Sequence, residues 1–337
     1  MILKTSKKYK QDFICCLSVL LLCIGLMAGG CSFEGEERSA QLQILFSMQD
    51  TDDDFRNSLT EAVQKAAKEQ GIELDVEYSG GSVTAQIEQV WDAESEGYDA
   101  VICYLSDPDS ALRIEAVAGD MPVIFVSNKP MDDYLTADQY MFVGSREAEA
   151  GTYQAEYVWN KLSKPKKLSV VMLKGEPGHS GTIGRTNAVY RFFEEKNVKL
   201  DIAYEDFAFW SKEEARKRFN QIIEAGKPFD AVFCNNDTMA TGVVAAMKEH
   251  GIPTEEIPVV GVDATQAGCR SILEGGMQFT VFQSASGQGL KSIETAIALI
   301  KTGTAESVEG LDEDGLCVWV PFEPVDASNV SDYYQEK

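Results

Sequence analysis

The chain has 337 residues and a formal net charge of −24, from 54 acidic and 30 basic side chains. A surplus of that size repels a polyanion, which excludes nucleic acid as a partner. Hydrophobic residues make up 44% and aromatics 9%, enough to build a core, and the length suits two domains rather than one.

The first thirty residues read as a leader. Lys4, Lys7, Lys8 and Lys10 form a basic start, and residues 13–27 are apolar but short for a membrane span. Ala28, Gly29 and Gly30 then precede Cys31, which resembles a bacterial lipobox. That resemblance implies cleavage before Cys31 and its lipidation, although the usual Leu three residues upstream is here Ala28. The alternative is an uncleaved membrane anchor. Both place the protein outside the cytoplasmic membrane, and the acidic stretch 32–38 holds it off the surface. Cys15, Cys16 and Cys23 belong to the leader; Cys103, Cys234, Cys269 and Cys317 are widely spaced and read as small core residues.

From residue 40 on, short apolar runs alternate with amphipathic stretches. Strands are expected over 44–48, 74–78, 99–105, 122–126 and 140–144, separated by helical stripes such as Phe55, Leu59, Ala62, Val63 and Ala66. A long helix over about 147–162 opens a second series, with strands over 168–173, 200–207, 230–234, 258–262 and 279–282. Ser211 with Glu214 forms a capping box, Gly226 ends that helix, and Asp237 is the expected cap of the next. One last strand is expected over 316–322. Near-continuously apolar strands alternating with helices indicate parallel sheets covered on both faces, hence two α/β lobes in tandem.

In open parallel sheets, ligands bind beyond the carboxyl ends of the strands. The residues that follow the strands are Asp52, Asp53, Asp54 and Phe55; Ser127 and Asn128; His179 and Arg185; Trp210; Asn235, Asn236 and Asp237; Asp263; and Gln283. Carboxylates accept from hydroxyl pairs, amides both donate and accept, and aromatic faces cover the C–H surface of a sugar ring. The mixture suits a neutral polyol. Singly, each has a structural reading: Asp237 as a helix cap, Trp210 as lobe packing, His179 as a loop residue. Their common placement is what points to binding.

Other chemistries fit less well. The stretch "KGEPGHSGTIGRT" at 174–186 lacks G-K-[ST], no strand is followed by G-x-G-x-x-G, and there is no G-x-S-x-G elbow. Two histidines, His179 and His250, do not make a multi-histidine metal site. The neighbours His179 and Ser180 are poorly placed to act as base and nucleophile.

The segments "LKGEPGH…RT", "CNNDTMATG", "PVVGVDA" and "SDPDSALRIEAVAGDMPVIF" resemble the periplasmic galactose/glucose-binding proteins, over about residues 44–325. The resemblance implies the type I periplasmic binding fold: two Rossmann-like α/β lobes with parallel sheets, joined by a three-crossing hinge. On that basis the leader is 1–30 and the lipidated linker 31–41. The N-terminal lobe takes 42–143 plus 285–312, and the C-terminal lobe 144–284 plus 313–330. It also implies ligand contacts at Asp53, Phe55, His179, Arg185, Trp210, Asn236 and Asp263. Three family positions differ here. An Asn is replaced by Ser127, with Asn128 adjacent; an Asp is Gly181; the last Asn is Gln283. The calcium loop of some members is replaced by "KLSKPKKLS", which cannot supply an oxygen cage, so neither metal nor other cofactor is expected.

The function implied is non-catalytic capture of a monosaccharide or small glycoside by a monomeric receptor. The receptor closes on it and docks on an ABC permease or, alternatively, on a chemoreceptor or membrane histidine kinase. A secreted glycosidase using Asp53 and Asp263 is the competing class. A LacI-type repressor is excluded by the leader and by the lack of a helix-turn-helix.

Overall fold

The computed structural model describes residues 41–50 and 53–335. The expected leader, Cys31, the linker up to residue 40 and Asp52 lie outside the described residues. No helix among the described residues is long and apolar enough to cross a membrane.

The first lobe starts with strands β1 (Gln43–Met48), β2 (Glu73–Tyr78), β3 (Ala100–Cys103), β4 (Val123–Val126) and β5 (Tyr140–Gly144). Helices α1 (Asp54–Gln70), α2 (Val83–Glu96) and α3 (Ala111–Ala118) connect them. Helix α4 (Glu147–Lys161) leads into β6 (Lys167–Lys174), β7 (Lys199–Phe207), β8 (Ala231–Cys234), β9 (Val259–Val260) and β10 (Phe279–Gln283). Between these lie α5 (Ser180–Glu195), α6 (Lys212–Ala225), α7 (Asp237–Glu249) and α8 (Gln266–Leu273). Helix α9 (Ala285–Thr302) and strands β11 (Cys317–Trp319) and β12 (Phe322–Asp326) complete the order.

The strands form two six-stranded sheets, β11-β5-β4-β3-β1-β2 and β12-β10-β9-β8-β6-β7. All pairs are parallel except β10 with β12. Each strand feeds both faces of its sheet, as a period of two requires. In β1, Ile44, Phe46 and Met48 enter one core layer and Leu45 the opposite one. In β6, Val171 and Leu173 face one layer, and Val170 and Met172 the other. Cys103, Cys234, Cys269 and Cys317 are buried free thiols.

The chain passes between the two sheets three times: between β5 and α4, between β10 and α9, and between β11 and β12. The last crossing corrects the expectation of one strand over 316–322. Residues 317–319 pair with β5 of the first sheet, and residues 322–326 pair with β10 of the second. Residues 317–319 therefore leave the C-terminal lobe, where the expected boundaries put them. The apolar run is continuous because both halves are buried, so composition gave no sign of the break. The turn residues Val320 and Pro321 mark it.

Candidate functional site

The helices that follow the strands point their N-termini at the gap between the lobes, and their capping residues do two things at once. Asp53 caps α1, its Oδ1 accepting from the amides of Phe55 at 2.9 Å and Arg56 at 3.1 Å. His179 caps α5 through Nδ1, which accepts from Gly181 N at 3.0 Å. Asn236 caps α7, its Oδ1 accepting from Met239 N at 3.0 Å. This corrects the expected cap: Asp237 is the first residue of that helix, not its cap. All three caps line one narrow cavity of about 20 Å³, together with Phe55, Arg56, Tyr104, Ser127, Arg185, Trp210, Asp263 and Gln283. That is far below the roughly 300–1,000 Å³ of small-molecule sites, so the lobes must part to admit a sugar-sized ligand.

The two lobes meet directly around it. Asn236 Nδ2 donates to Asp53 Oδ2 at 2.9 Å. Arg56 Nη2 pairs with Glu176 at 2.9 Å, while its Nη1 pairs with Asp50 at 2.8 Å. Tyr104 Oη and His179 Nε2 lie 2.8 Å apart. Because His179 Nδ1 accepts from an amide, it carries no proton. Burial, then the charges of Arg56 and Arg185, push the imidazole pKa well below its usual value. The ring is neutral, its proton sits on Nε2, and Nε2–H donates to Tyr104. The phenol oxygen also accepts from Arg56 Nε at 3.4 Å, which leaves the phenol's own proton for a further acceptor.

Arg185 organises the second lobe's side. Nε donates to Glu147 at 2.6 Å, Nη1 to the Asn235 carbonyl at 2.7 Å and Nη2 to Gln283 Oε1 at 2.9 Å. Nη1 also lies 3.7 Å from Asp263 Oδ1. Burial disfavours its charge, but Glu147 and Asp263 outweigh that and hold its pKa above the usual value. Burial raises the Asp263 carboxyl well above the usual range; Arg185 opposes this, and Asp53, Asp237 and Glu147 add to it. Burial also raises Asp53, against the pull of Arg56 and two amides.

Trp210 lies flat against Gly175, where an added Cβ would fall 2.1 Å from its ring. The first glycine of "KGEPGH" is thus the space the indole occupies. His179 meets the indole edge-on, with centroids 5.0 Å apart. Trp210 Nε1 and Gln283 Nε2 are buried without a protein hydrogen-bond partner. A buried donor in that state costs about 1–3 kcal/mol unless something accepts from it.

Of the sequence-derived candidates, Asp53, Phe55, Ser127, His179, Arg185, Trp210, Asn236, Asp263 and Gln283 come together. Asn128 does not line the cavity. Its Nδ2 donates to the Leu105 carbonyl at 2.7 Å, and its Oδ1 accepts from Ser180 N of the other lobe at 3.1 Å. At Gly181 a Cβ would sit 3.2 Å from His179 Nδ1 and 3.5 Å from Arg185 Cζ. An acidic side chain there would crowd these groups, and Glu147 already provides the counter-charge to Arg185. Arg56 and Tyr104 were missed. Arg56 lies inside a helix, and Tyr104 reads as part of an apolar strand, although it directly follows β3. A larger groove of about 730 Å³, bordered by Lys212, Lys248 and Arg270, gathers residues of the second lobe alone.

Over residues 44–305 the chain matches the periplasmic binding protein domain family, and it belongs to that family. It is 29% identical to a protein of Rhizobium meliloti named for rhizopine binding, over 85% of this chain and 91% of that one. It is 27% identical to the D-galactose/methyl-galactoside binding periplasmic protein MglB of Haemophilus influenzae, over 94% and 98%. An ABC transporter solute binding protein from Bacillus halodurans, solved with bound myo-inositol, superposes with a TM-score of 0.78 at 28% identity, over 88% of this chain and 98% of that one.

Proposed function

We propose that this protein is an extracytoplasmic solute receptor. It captures a single polyol ring, a galactose- or glucose-like pyranose or a cyclitol, between its lobes and delivers it to an ABC permease. The observation that carries this is the set of residues that converge between the lobes. Residues of both lobes line the cavity, with the carboxylates of Asp53 and Asp263 as acceptors and Arg185, Gln283 and Tyr104 as donors. Trp210 supplies a flat apolar face. A hydroxylated ring needs donors, acceptors and one apolar wall, and each hydrogen bond to a charged partner contributes about 1.5–3 kcal/mol. Closure is a hinge motion about the three crossings between the sheets. The receptor acts as a monomer, held at the membrane by lipid on Cys31 after removal of the leader, and it performs no catalysis.

The ligands of two relatives, galactose and methyl-galactoside for one and myo-inositol for a solved structure, support a six-membered polyol. The replacements Ser127, Gly181 and Gln283 bear on which ring it is. Isothermal titration calorimetry of residues 32–337 against D-galactose, D-glucose, methyl-galactoside and myo-inositol tests the reading. Saturable binding with a Kd in the micromolar range or tighter for at least one is expected. Failure of all four to bind would overturn it. Turnover of a chromogenic glycoside, lost in Asp263→Ala, would instead favour an enzyme.

A further inference from the structure

Asp237 is fully buried at the first turn of α7 and is not among the residues that line the cavity. Its Oδ1 accepts from Thr280 Oγ1 at 2.6 Å. Its Oδ2 accepts from Thr265 N at 2.8 Å and from Thr265 Oγ1 at 3.4 Å. Backbone closes on the carboxylate from two sides. A Cβ at Gly261 would lie 2.2 Å from Oδ1, and a Cβ at Gly268 would lie 2.2 Å from Oδ2.

The segment held between those contacts is the one that presents Asp263. Asp263 has φ +112° and Ala264 φ +50°, two consecutive non-glycine residues in a sparsely populated region. Such backbone persists only when its surroundings over-determine it. The surroundings here are specific. Asp263 N donates to the Val281 carbonyl at 2.7 Å, and Gln283 N to the Asp263 carbonyl at 3.3 Å. Ala264 N donates to Thr280 Oγ1 at 3.2 Å. The Thr280 hydroxyl therefore accepts from the strained turn and donates to Asp237. Thr265, one residue past the turn, is tied to the other carboxylate oxygen. One carboxylate thus holds Ala264 through Thr280 and the next residue, Thr265, directly.

We infer that Asp237 is a positioning residue for the binding site: through Thr280 and Thr265 it fixes the left-handed turn that directs Asp263 to the ligand, without itself touching the ligand. Removing the carboxylate frees three donors and lets residues 263–265 relax. Asp263 then loses its place opposite Arg185.

Binding and backbone geometry are measured on Asp237→Ala, Thr280→Val and Thr280→Ser. The probe is whichever of D-galactose or myo-inositol the wild-type protein binds, read by calorimetry well below the unfolding midpoint. Asp237→Ala is expected to weaken binding at least tenfold and Thr280→Val severalfold. Thr280→Ser, which keeps the hydroxyl, should stay within twofold of wild type. In an Asp263→Asn background, Asp237→Ala should weaken binding by less than twofold, because its effect runs through Asp263. Equal losses in both backgrounds, or wild-type affinity in Asp237→Ala, would overturn the inference. The binding arm rests on the polyol reading above; a crystal structure of Asp237→Ala does not. It should show Asp263 and Ala264 out of their positive-φ conformations, and unchanged dihedrals would also overturn the inference. If Asp237→Ala does not fold, the contrast between Thr280→Val and Thr280→Ser carries both arms.

Discussion

Both sides of the cavity use helix caps, but the second lobe's side leans more on irregular backbone. On the first-lobe side, Asp53, Phe55 and Arg56 sit at the regular start of α1, where their geometry follows from an ordinary helix cap, and of the lining residues there Ser127 alone has positive φ, +63°. On the second-lobe side, Trp210 and Asp263 stand on turns with positive φ, Phe209–Trp210 at +54° and +60° and Asp263–Ala264 at +112° and +50°. The first kind of site is held by local hydrogen bonds within a few residues. The second is held by contacts far away in sequence, Gly175 under the indole and Thr280 with Asp237 under the turn. The second lobe's side should therefore be the more sensitive to changes at residues that never meet the ligand.

The largest effect expected is from Arg185→Met. It leaves Glu147 and Asp263 buried without their cation, and removing one partner of a buried pair costs about 3–5 kcal/mol. Chemical denaturation should show that loss, and calorimetry should show no binding. Gly175→Ala should come next. Its methyl collides with the indole, overpacking of this kind costs roughly 1–3 kcal/mol, and Trp210 is displaced. Asp263→Asn keeps the shape but removes a charged acceptor. Affinity should fall about tenfold or more, for the roughly 1.5–3 kcal/mol of such a bond. Across the cleft, Asp50→Asn should weaken binding only slightly, by about 1 kcal/mol or less, because Asp50 is partly exposed and Arg56 keeps Glu176. An equal loss from Asp50→Asn and Gly175→Ala would erase the contrast between the two sides.

The acidic groups add a pH dependence with a definite sign. Burial raises the carboxyls of Asp53, Asp237 and Asp263 in the folded protein, Asp237 to about 7. Glu147 and Arg185 face the same cluster. Through these groups the folded state binds more protons than the unfolded state between about pH 4 and 7, and their contribution to stability declines as pH rises through that window, while His179, held neutral by burial, acts in the opposite sense as the unfolded imidazole loses its proton. Calorimetric unfolding should give a lower Tm at pH 8 than at pH 5.5, and Asp237→Asn should flatten the slope. An unchanged slope would remove Asp237 from the cluster.

Much of this site was legible because parallel sheets put function at strand ends, and the residue after each strand is found by reading the apolar runs. Asp53, His179, Asn236, Asp263 and Gln283 were all found that way. Arg56 was not, since nothing in "DDDFRN" separates a cavity-lining arginine from a solvated helix residue. Tyr104 was hidden by its hydrophobic neighbours. Asn128 was placed in the site by adjacency to Ser127, but Ser127 adopts φ +63° and the amide turns to the Leu105 carbonyl instead. The division of 316–322 between the sheets has one local sign, Pro321, which cannot donate within a strand.

The measurement that bears most directly on the central claim is a tryptophan fluorescence titration of residues 32–337 with D-galactose and myo-inositol, beside the Trp210→Phe protein. Of the four tryptophans, only Trp210 lines the cavity between the lobes. The account predicts a saturable change in emission with at least one of the two, and its loss in Trp210→Phe while calorimetry still detects binding. A signal that survives unchanged in Trp210→Phe would put the ligand elsewhere, and no response by fluorescence or calorimetry to either polyol would contradict the account.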